Sequence, residues 1–329
     1  MADKKKVLLL GGAGYIGTML APFLNKHEFD VTVVDTEWFG NYLPSTVKSI
    51  RKDIFEMKQS EYEGYDAVVF LAGLSNDPMA EFSPKDNFIY NTGMPAFCGF
   101  MAREAGVKHF IFAGSCSVYG YTHNSTYSED DIAVSNYPYG VSKLQGEQSL
   151  LTLADENFSV ICLRQGTVSG YSPRMRLDLA INTMFKNAIS KNEITLSNPK
   201  IWRPLLGIND LCNAYLGALR ATDYRSEIIN IASFNTTIGE LAIQVKEFVE
   251  EHFGNTVTIS NQNVQDYRNY KVSIEKAKKL LNYTPTQDAT SILQTLRQNL
   301  ETFNNFDEER FYNIQVFKKM LATPLIQQQ

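Results

Sequence analysis

The chain has 329 residues, of which 44% are hydrophobic and 20% are charged, and its formal net charge at pH 7 is −5. This length exceeds one typical hydrophobic core, so we expect one larger and one smaller domain. The acidic balance argues against a nucleic-acid partner, because nucleic-acid-binding surfaces are normally basic. No apolar stretch approaches the ~20 residues of a membrane span, so we expect a cytoplasmic protein without a membrane partner.

The cysteines and histidines give no sign of a metal site. The four cysteines show no C-x-x-C spacing, and the four histidines are scattered. Metal sites need clustered ligands at characteristic spacings, so we expect no bound metal. Cysteines in apolar contexts are typical of reduced, buried thiols.

A glycine-rich turn follows the first apolar run, Val7–Leu10, and precedes a helical pattern. Gly11, Gly14 and Gly17 allow the turn to tighten, the backbone to approach a pyrophosphate, and the helix to pack close to the sheet. The free N–H groups of this turn, which includes Tyr15 and Ile16, then face the phosphates at a helix N-terminus. The pattern predicts a dinucleotide-binding site.

Asp35 ends the second predicted strand, 18 residues after Gly17. A carboxylate at this place accepts hydrogen bonds from an adenosine ribose and repels a 2′-phosphate. There is no arginine between Gly17 and Asp35 or in the next dozen residues. We therefore expect NAD rather than NADP as the cofactor.

The first half of the chain alternates short apolar strands with amphipathic helices, which is typical of an α/β protein with a doubly wound parallel sheet of the Rossmann type. We place an NAD-binding domain at 1–170 and a smaller mixed α/β substrate domain at 171–329, with elements at about 205–232 as candidates for a return to the first domain. The strands are predicted at 7–10, 31–34, 47–50, 67–71, 109–113, 159–163 and 228–231. Helices are predicted over 88–105, 139–155, 177–190, 210–221, 239–252 and 290–304. The segment from Phe306 is expected to form one last helix before Gln327–Gln329 fray.

Tyr139 and Lys143 are four residues apart at the start of a predicted helix, which places both on one helical face. A phenol has an ordinary pKa of about 10. A nearby ammonium group and a positive nicotinamide ring would favour the phenolate and lower that pKa. The spacing therefore predicts Tyr139 as a general base and Lys143 as its tuning residue and a cofactor ligand.

Ser115 follows a predicted core strand, at the carboxyl end where ligands bind in open α/β sheets. Its hydroxyl is placed to orient a reacting oxygen toward Tyr139. The alternative for such serines is local turn capping.

Together these residues resemble the extended short-chain dehydrogenase/reductase superfamily and, within it, the NAD-dependent nucleotide-sugar epimerase/dehydratase family. The resemblance extends to about residue 300 and implies a catalytic triad of Ser115, Tyr139 and Lys143. It also implies a cofactor site that includes Asp53 and Ile54 near the adenine, Leu71, Ala72 and Gly73 near the pyrophosphate, and Asn91 as a support of the catalytic helix.

The same resemblance implies a nucleotide-diphosphate sugar as the substrate. Trp202-Arg203-Pro204 and the segment from Ser172 to Asp178 are similar to motifs of glycan-biosynthesis enzymes. Arg203 would clamp the diphosphate, since a guanidinium binds phosphate oxygens bidentately. The other implied substrate residues are Ser75, Ser117, Thr167, Arg174, Arg176 and Asn182. Surface or interdomain ion pairing is the alternative for Arg174 and Arg176.

Three departures from the family pattern narrow the reaction. Cys116 and Ser117 stand where dehydratases or decarboxylating relatives carry acidic residues, and neither can supply the carboxyl group that elimination needs. Gly207 stands where a histidine is frequent. The sequence therefore favours a 4-epimerase acting by transient oxidation at the sugar C4, and the alternative is a C4 dehydrogenase that releases a 4-keto sugar.

A non-catalytic NAD-binding regulator is the alternative from another class, because a fold alone does not imply activity. The intact Ser115, Tyr139 and Lys143 set argues against it. The resemblance further implies a homodimer formed through the helices at 88–105 and 139–155.

Overall fold

The computed structural model describes residues 4–221, 226–262 and 268–322. The strands of this part of the chain are β1 (Lys5–Leu10), β2 (Phe29–Asp35), β3 (Lys48–Arg51), β4 (Ala67–Phe70), β5 (His109–Ser115), β6 (Tyr121–Tyr127), β7 (Ser159–Gln165), β8 (Thr167–Ser169), β9 (Glu193–Leu196), β10 (Trp202–Gly207), β11 (Ser226–Ile231), β12 (Phe234–Thr237), β13 (Thr258–Asn261) and β14 (Asn269–Val272). The helices are α1 (Gly17–Lys26), α2 (Asp77–Phe82), α3 (Pro84–Phe88), α4 (Met94–Glu104), α5 (Pro138–Leu151), α6 (Ala180–Lys191), α7 (Ile208–Arg220), α8 (Ile238–Phe253), α9 (Glu275–Leu281), α10 (Ala289–Gln298) and α11 (Asn313–Ala322).

A seven-stranded sheet organises the first half, in the order β11-β7-β5-β4-β1-β2-β3. All of its pairings are parallel. Val7 and Leu9 of β1 pack into the core on one face, whereas Leu8 and Leu10 pack into a separate core on the other. A sheet with both faces buried needs helices on both sides, and the predicted doubly wound α/β fold is confirmed.

The described residues also form three smaller sheets, which combine strands of both halves. In one, β10 lies between β12 and β8, and the other two pair β13 with β9 and β14 with β6. β11 pairs instead with β7 at the edge of the large sheet, so this part of the chain returns to the first sheet. The domain boundary near residue 170 stays a prediction.

Several element boundaries differ from the predicted ones. The helical stretch expected over 88–105 is divided into α3, a π-helical segment at Ile89–Gly93, and α4. The helix expected from 177 begins at Ala180. In the segment before it, the backbone N–H of Leu177 donates to the carbonyl of Phe311 at 2.9 Å. The helix expected over 290–304 ends at Gln298.

The C-terminal segment does form a helix, α11, whose Phe317 is buried against Leu74 and Met79. The expected fraying at Gln327–Gln329 lies outside the described residues. Within the described ranges, no helix is both long and apolar enough to cross a membrane.

Candidate active site

A cavity of about 630 Å³ lies at the carboxyl ends of the parallel strands. Its walls come from the glycine turn after β1, the ends of β2, β4 and β5, the first turn of α5, and the segments that follow β7 and β8. This is the edge where open parallel sheets bind their ligands. The arrangement brings residues from both halves of the chain into one site.

The glycine turn forms one wall. Gly11, Gly14, Tyr15 and Ile16 line the cavity, and Gly11 has φ of +79°, a conformation that favours glycine. Gly17 lies behind the wall, where a Cβ would collide with the backbone of Gly12. The turn and the N-terminus of α1 therefore sit close together, as the sequence predicted.

Asp35, the last residue of β2, is hydrogen-bonded to this turn. Its Oδ2 accepts a 2.9 Å hydrogen bond from the Ala13 N–H, and its Oδ1 accepts one of 2.7 Å from the Glu37 N–H. Burial raises the pKa of the Asp35 carboxyl, although these two donors act in the opposite direction. Asp53 and Ile54 line the same region of the cavity.

Leu71, Ala72 and Gly73 line the cavity after β4, but Asn91 does not. The Asn91 side chain is fully buried and donates to the Leu74 carbonyl at 2.9 Å and to Asn87 Oδ1 at 2.8 Å. It therefore positions the loop after β4 from behind, rather than facing a ligand directly.

Ser115 and Tyr139 both line the cavity, and the Ser115 hydroxyl lies near enough to the Tyr139 phenol to affect its ionisation. Ser115 ends β5, and Tyr139 lies in the first turn of α5. The Ser117 hydroxyl, which also lines the cavity, donates to Ser115 Oγ at 2.8 Å. Ser117 N–H donates to the same oxygen at 3.2 Å. Ser115 thus caps the local turn and also lies near the Tyr139 phenol.

The pKa of Tyr139 is raised above its ordinary value by burial, although the Ser115 hydroxyl and the charge of Arg176 act to lower it. A lowered pKa in the presence of the positive nicotinamide ring stays a prediction. Lys143 is itself buried, and burial lowers its pKa to about 8. Its Nζ donates to the Ala113 carbonyl at 3.0 Å, so Lys143 lies under the wall and not on it.

Arg203 lies at the other end of the cavity. Its guanidinium is 5.1 Å from the centre of the Tyr270 ring, and its Nη1 donates to the carbonyls of Trp202 and Arg268. Arg268 lines the same end, forms a 2.5 Å ion pair with Asp77, and was not predicted. No motif surrounds Arg268 in the sequence, and only the fold brings it beside Arg203. Thr167 also lines the cavity.

Arg176 is engaged by its own neighbours. Its Nε and Nη2 donate to the two carboxylate oxygens of Asp178 at 2.9 and 3.0 Å, and its Nη1 donates to Ser75 Oγ at 3.0 Å. Burial acts to raise the pKa of Asp178, but the Arg176 guanidinium lowers it below the ordinary value. Arg176, Asp178 and Ser75 all line the cavity as one network.

Asn182 does not line the cavity. Its Nδ2 donates to the Arg176 carbonyl at 2.8 Å, and its Oδ1 accepts from the Gly170 N–H at 3.0 Å. The sequence placed Asn182 among the substrate residues. In the structure, Asn182 instead holds the backbone of the segment that carries Arg176.

Arg174 is 2% exposed and lies beside the loop that follows β2. Its guanidinium is 3.7 Å from the centre of the Phe39 ring, four residues after Asp35. Burial and the charge of Arg176 lower the pKa of Arg174 to about 9.

The structure also shows the surroundings of Cys116 and Gly207, two positions that depart from the family pattern. Cys116 is fully buried, and its thiol donates to the Arg164 carbonyl at 3.1 Å, away from the cavity. Gly207 packs against Gln287, whose side chain occupies the space where a Cβ would lie. All four cysteines are free and buried. Among the described residues there is no cluster of three or more His, Cys, Asp or Glu side chains suited to a metal ion.

The chain was compared with known proteins. Residues 7–232 match the model of the NAD dependent epimerase/dehydratase family. An uncharacterized UDP-glucose epimerase, YtcB, of Bacillus subtilis (strain 168) is 26% identical over 318 residues, which cover 90% of this chain and 96% of that protein. A UDP-glucose 4-epimerase of Corynebacterium glutamicum is 25% identical over 301 residues, 85% of this chain and 91% of that protein.

Among solved structures, the UDP-glucuronic acid 4-epimerase of Bacillus cereus, in complex with UDP-glucuronic acid and NAD, has a TM-score of 0.79. It is 24% identical, and the match covers 91% of this chain and 99% of that one. At this identity the likeness establishes a shared fold.

Proposed function

Because the chain belongs to the NAD dependent epimerase/dehydratase family, we propose that it is an NAD-dependent nucleotide-sugar 4-epimerase. The observation that carries the proposal is that two hydroxyls, Ser115 at the end of β5 and Tyr139 in the first turn of α5, line the same cavity. This pair lies in one cavity with the glycine turn at one end and two arginines, Arg203 and Arg268, at the other.

The residues of the first end fit NAD. A Cβ built on Gly14 would have only the Gly11 carbonyl oxygen within 4 Å, so Gly14 faces open space where a phosphate can approach the backbone. The N-terminus of α1 lies directly behind this turn and favours an anion. Asp35, whose carboxylate ends β2, is placed for a ribose diol.

When bound, NAD supplies the hydride acceptor that an oxidation at the sugar C4 requires. Tyr139 removes the proton from the C4 hydroxyl during oxidation and returns it to the C4 oxygen when the carbonyl is reduced. Ser115 hydrogen-bonds this oxygen. A positioned general acid/base of this kind contributes about 10²–10⁴-fold to the rate. Lys143 holds α5 against β5 through Ala113 and, by resemblance to the family, also contacts the nicotinamide ribose.

The second end of the cavity is suited to the diphosphate of the substrate. The guanidinium groups of Arg203 and Arg268 both lie there. Each guanidinium can donate two hydrogen bonds to the oxygens of one phosphate. Thr167, Ser117 and the Arg176–Asp178 pair also line the cavity. We assign the sugar to the region beside these residues. The names of the relatives make UDP-sugars the first substrates to test, and the family model includes dehydratases as well as epimerases.

Epimerisation is favoured over elimination of water because the two positions that would carry acidic residues hold a buried thiol, Cys116, and a hydroxyl, Ser117. We further propose that the protein is a homodimer formed by α4 and α5, in which Phe100 of α4, 49% exposed in one chain, is covered. Glycan biosynthesis is the corresponding pathway class.

The proposal is tested by native mass spectrometry of the purified protein, followed by thermal-shift measurements with a panel of nucleoside diphosphates and nucleotide sugars. We expect bound NAD and stabilisation by at least one nucleotide sugar. A protein that neither carries nor binds NAD would overturn the proposal. A protein that binds NAD but no nucleotide sugar would be an NAD-binding regulator instead.

A further inference from the structure

Arg174 is a buried cation whose hydrogen-bonding capacity is only partly used. Its Nη2 donates to Asn313 Oδ1 at 2.5 Å, but its Nε and Nη1 have no hydrogen-bond partner within the described part of the chain. A buried charged donor without an acceptor is costly. Since Arg174 lines the cavity, acceptor oxygens of a bound ligand are the groups that can pair with these donors.

The position of Arg174 identifies which ligand is within reach. Its guanidinium stacks on Phe39, in the loop that follows Asp35. The charges of Arg176 and Asp178, from the same segment, act on the ionisation of Arg174, and so does the charge of Asp35 at the end of β2. Arg203, in contrast, stacks on Tyr270 at the opposite end of the cavity.

We propose that Arg174 is a ligand of the cofactor and not of the nucleotide sugar, and that Asn313 of the C-terminal helix holds its guanidinium in place. The inference rests on the proposed function, because it takes NAD as the cofactor. The acceptor is an oxygen of the adenosine diphosphate half of NAD, on a phosphate or on the ribose. This replaces the sequence-based assignment of Arg174 to the substrate.

Asn313 is built into the cavity wall. It is buried at the start of α11, and its Nδ2 donates to Ser75 Oγ at 2.8 Å while its Oδ1 accepts from Arg174. The next residue, Ile314, lines the cavity. Phe317 fixes the helix by stacking on Trp38 with ring centres 6.0 Å apart. Residues of α11 thus close the cofactor end of the site, and Asn313 acts as a positioning residue for Arg174.

Binding of NAD, ADP, adenosine and UDP to the cofactor-free protein, measured by calorimetry, tests the assignment of Arg174. We expect Arg174→Met to weaken NAD and ADP by about 10- to 100-fold, as for lost hydrogen bonds to a charged group, and to leave UDP within twofold. Arg203→Met should show the reverse pattern. An equal loss for adenosine places the contact on the ribose, whereas a loss for ADP alone places it on a phosphate.

The outcomes separate this inference from the proposed function. If the wild type binds NAD and Arg174→Met binds it equally well, or loses UDP instead, the inference is wrong and the proposed function stands. If the wild type binds no NAD, the proposed function itself fails. Thermal melting of each variant shows whether it is folded.

The role of Asn313 is tested by the rate of NAD dissociation. We expect Asn313→Ala to accelerate release several-fold in the wild-type background but to have no further effect when Arg174 is already methionine. Asn313→Asp, which keeps an acceptor for Arg174, should restore slow release. Gln315→Ala, an exposed change on the same helix, is the matched control. Equal acceleration in both backgrounds would show that Asn313 does not act through Arg174.

Discussion

The Nζ of Lys143 donates a 3.0 Å hydrogen bond to the carbonyl oxygen of Ala113, which joins the middle of α5 to the last residues of β5. Ala113 is two residues before Ser115, and Lys143 is one helical turn after Tyr139. The bond therefore fixes the two elements whose hydroxyls line the cavity. Lys143 has a structural task in this site in addition to its proposed contact with the cofactor.

Tyr139→Phe removes the proposed acid/base and leaves the ring in place. We expect turnover to fall by about 10²–10⁴-fold, the range for a lost general acid/base, with NAD affinity and melting temperature near those of the wild type. The measurement is the initial rate on the best nucleotide sugar. Tyr121→Phe, at a position 47% exposed, is the control, and near-normal turnover of Tyr139→Phe would assign the proton to another group.

The depressed pKa of Lys143 predicts how stability changes with pH. Burial lowers the pKa from 10.5 to about 8, so between these values the unfolded chain holds a proton that the folded chain lacks. Raising the pH through this window favours the folded state. Relative to Lys143→Met, the free energy of unfolding of the cofactor-free wild type should rise by up to about 3 kcal/mol from pH 8 to 10.5. Urea denaturation at pH 8 and pH 10.5 measures this change in the free energy of unfolding. The same pH dependence in the wild type and in Lys143→Met would show that Lys143 is not buried as described.

Asp35 predicts the choice between NAD and NADP. Its carboxylate lies at the cavity wall, where it repels a 2′-phosphate. We expect Asp35→Asn to reduce the preference for NAD over NADP by about tenfold or more, because the negative charge is removed while the size is kept. Fluorescence titration with both dinucleotides tests this, with Asp30→Asn, an exposed change on the same strand, as the control. Equal affinity of the wild type for NAD and NADP would show that Asp35 does not select between them.

Phe100 tests the proposed dimer. Phe100 on α4 is 49% exposed, and covering its ring in an interface would remove apolar surface from water. Light scattering after gel filtration should give a dimer for the wild type and a monomer for Phe100→Asp. Ile243→Asp on α8, where the isoleucine is 50% exposed, should leave the dimer intact. A monomeric wild type, or a dimeric Phe100→Asp, contradicts the assignment of this face.

The part of the site that the sequence predicted is the part encoded locally. The glycine turn, Asp35 and Ser115 each lie at the end of an apolar strand, and parallel pairing brings strand ends to one edge. Tyr139 and Lys143 follow from helical spacing. In these cases a short segment and one topological rule suffice.

The rest depends on contacts between distant segments. Arg174 and Asn313 are 139 residues apart and meet only because α11 packs over the loop after β2. The carbonyl of Arg268 accepts a hydrogen bond from Arg203, 65 residues earlier in the chain. Asn91 lies behind the cavity wall because its place in the π-helical segment lets its side chain donate to the Leu74 carbonyl. The raised pKa of Tyr139 reflects burial, which residue spacing does not report.

We propose that Tyr139 supports reversible oxidation at the sugar C4, with the hydride returned to the same carbon. The most direct measurement uses a UDP-hexose deuterated at C4, followed by ¹H and ²H NMR and by mass spectrometry. We predict formation of the C4 epimer with the deuterium retained at C4, no accumulation of reduced cofactor beyond the enzyme concentration, and product formation slower by about 10²–10⁴-fold with Tyr139→Phe. A product that has lost water, or a 4-keto sugar formed together with stoichiometric reduced cofactor, would contradict the claim.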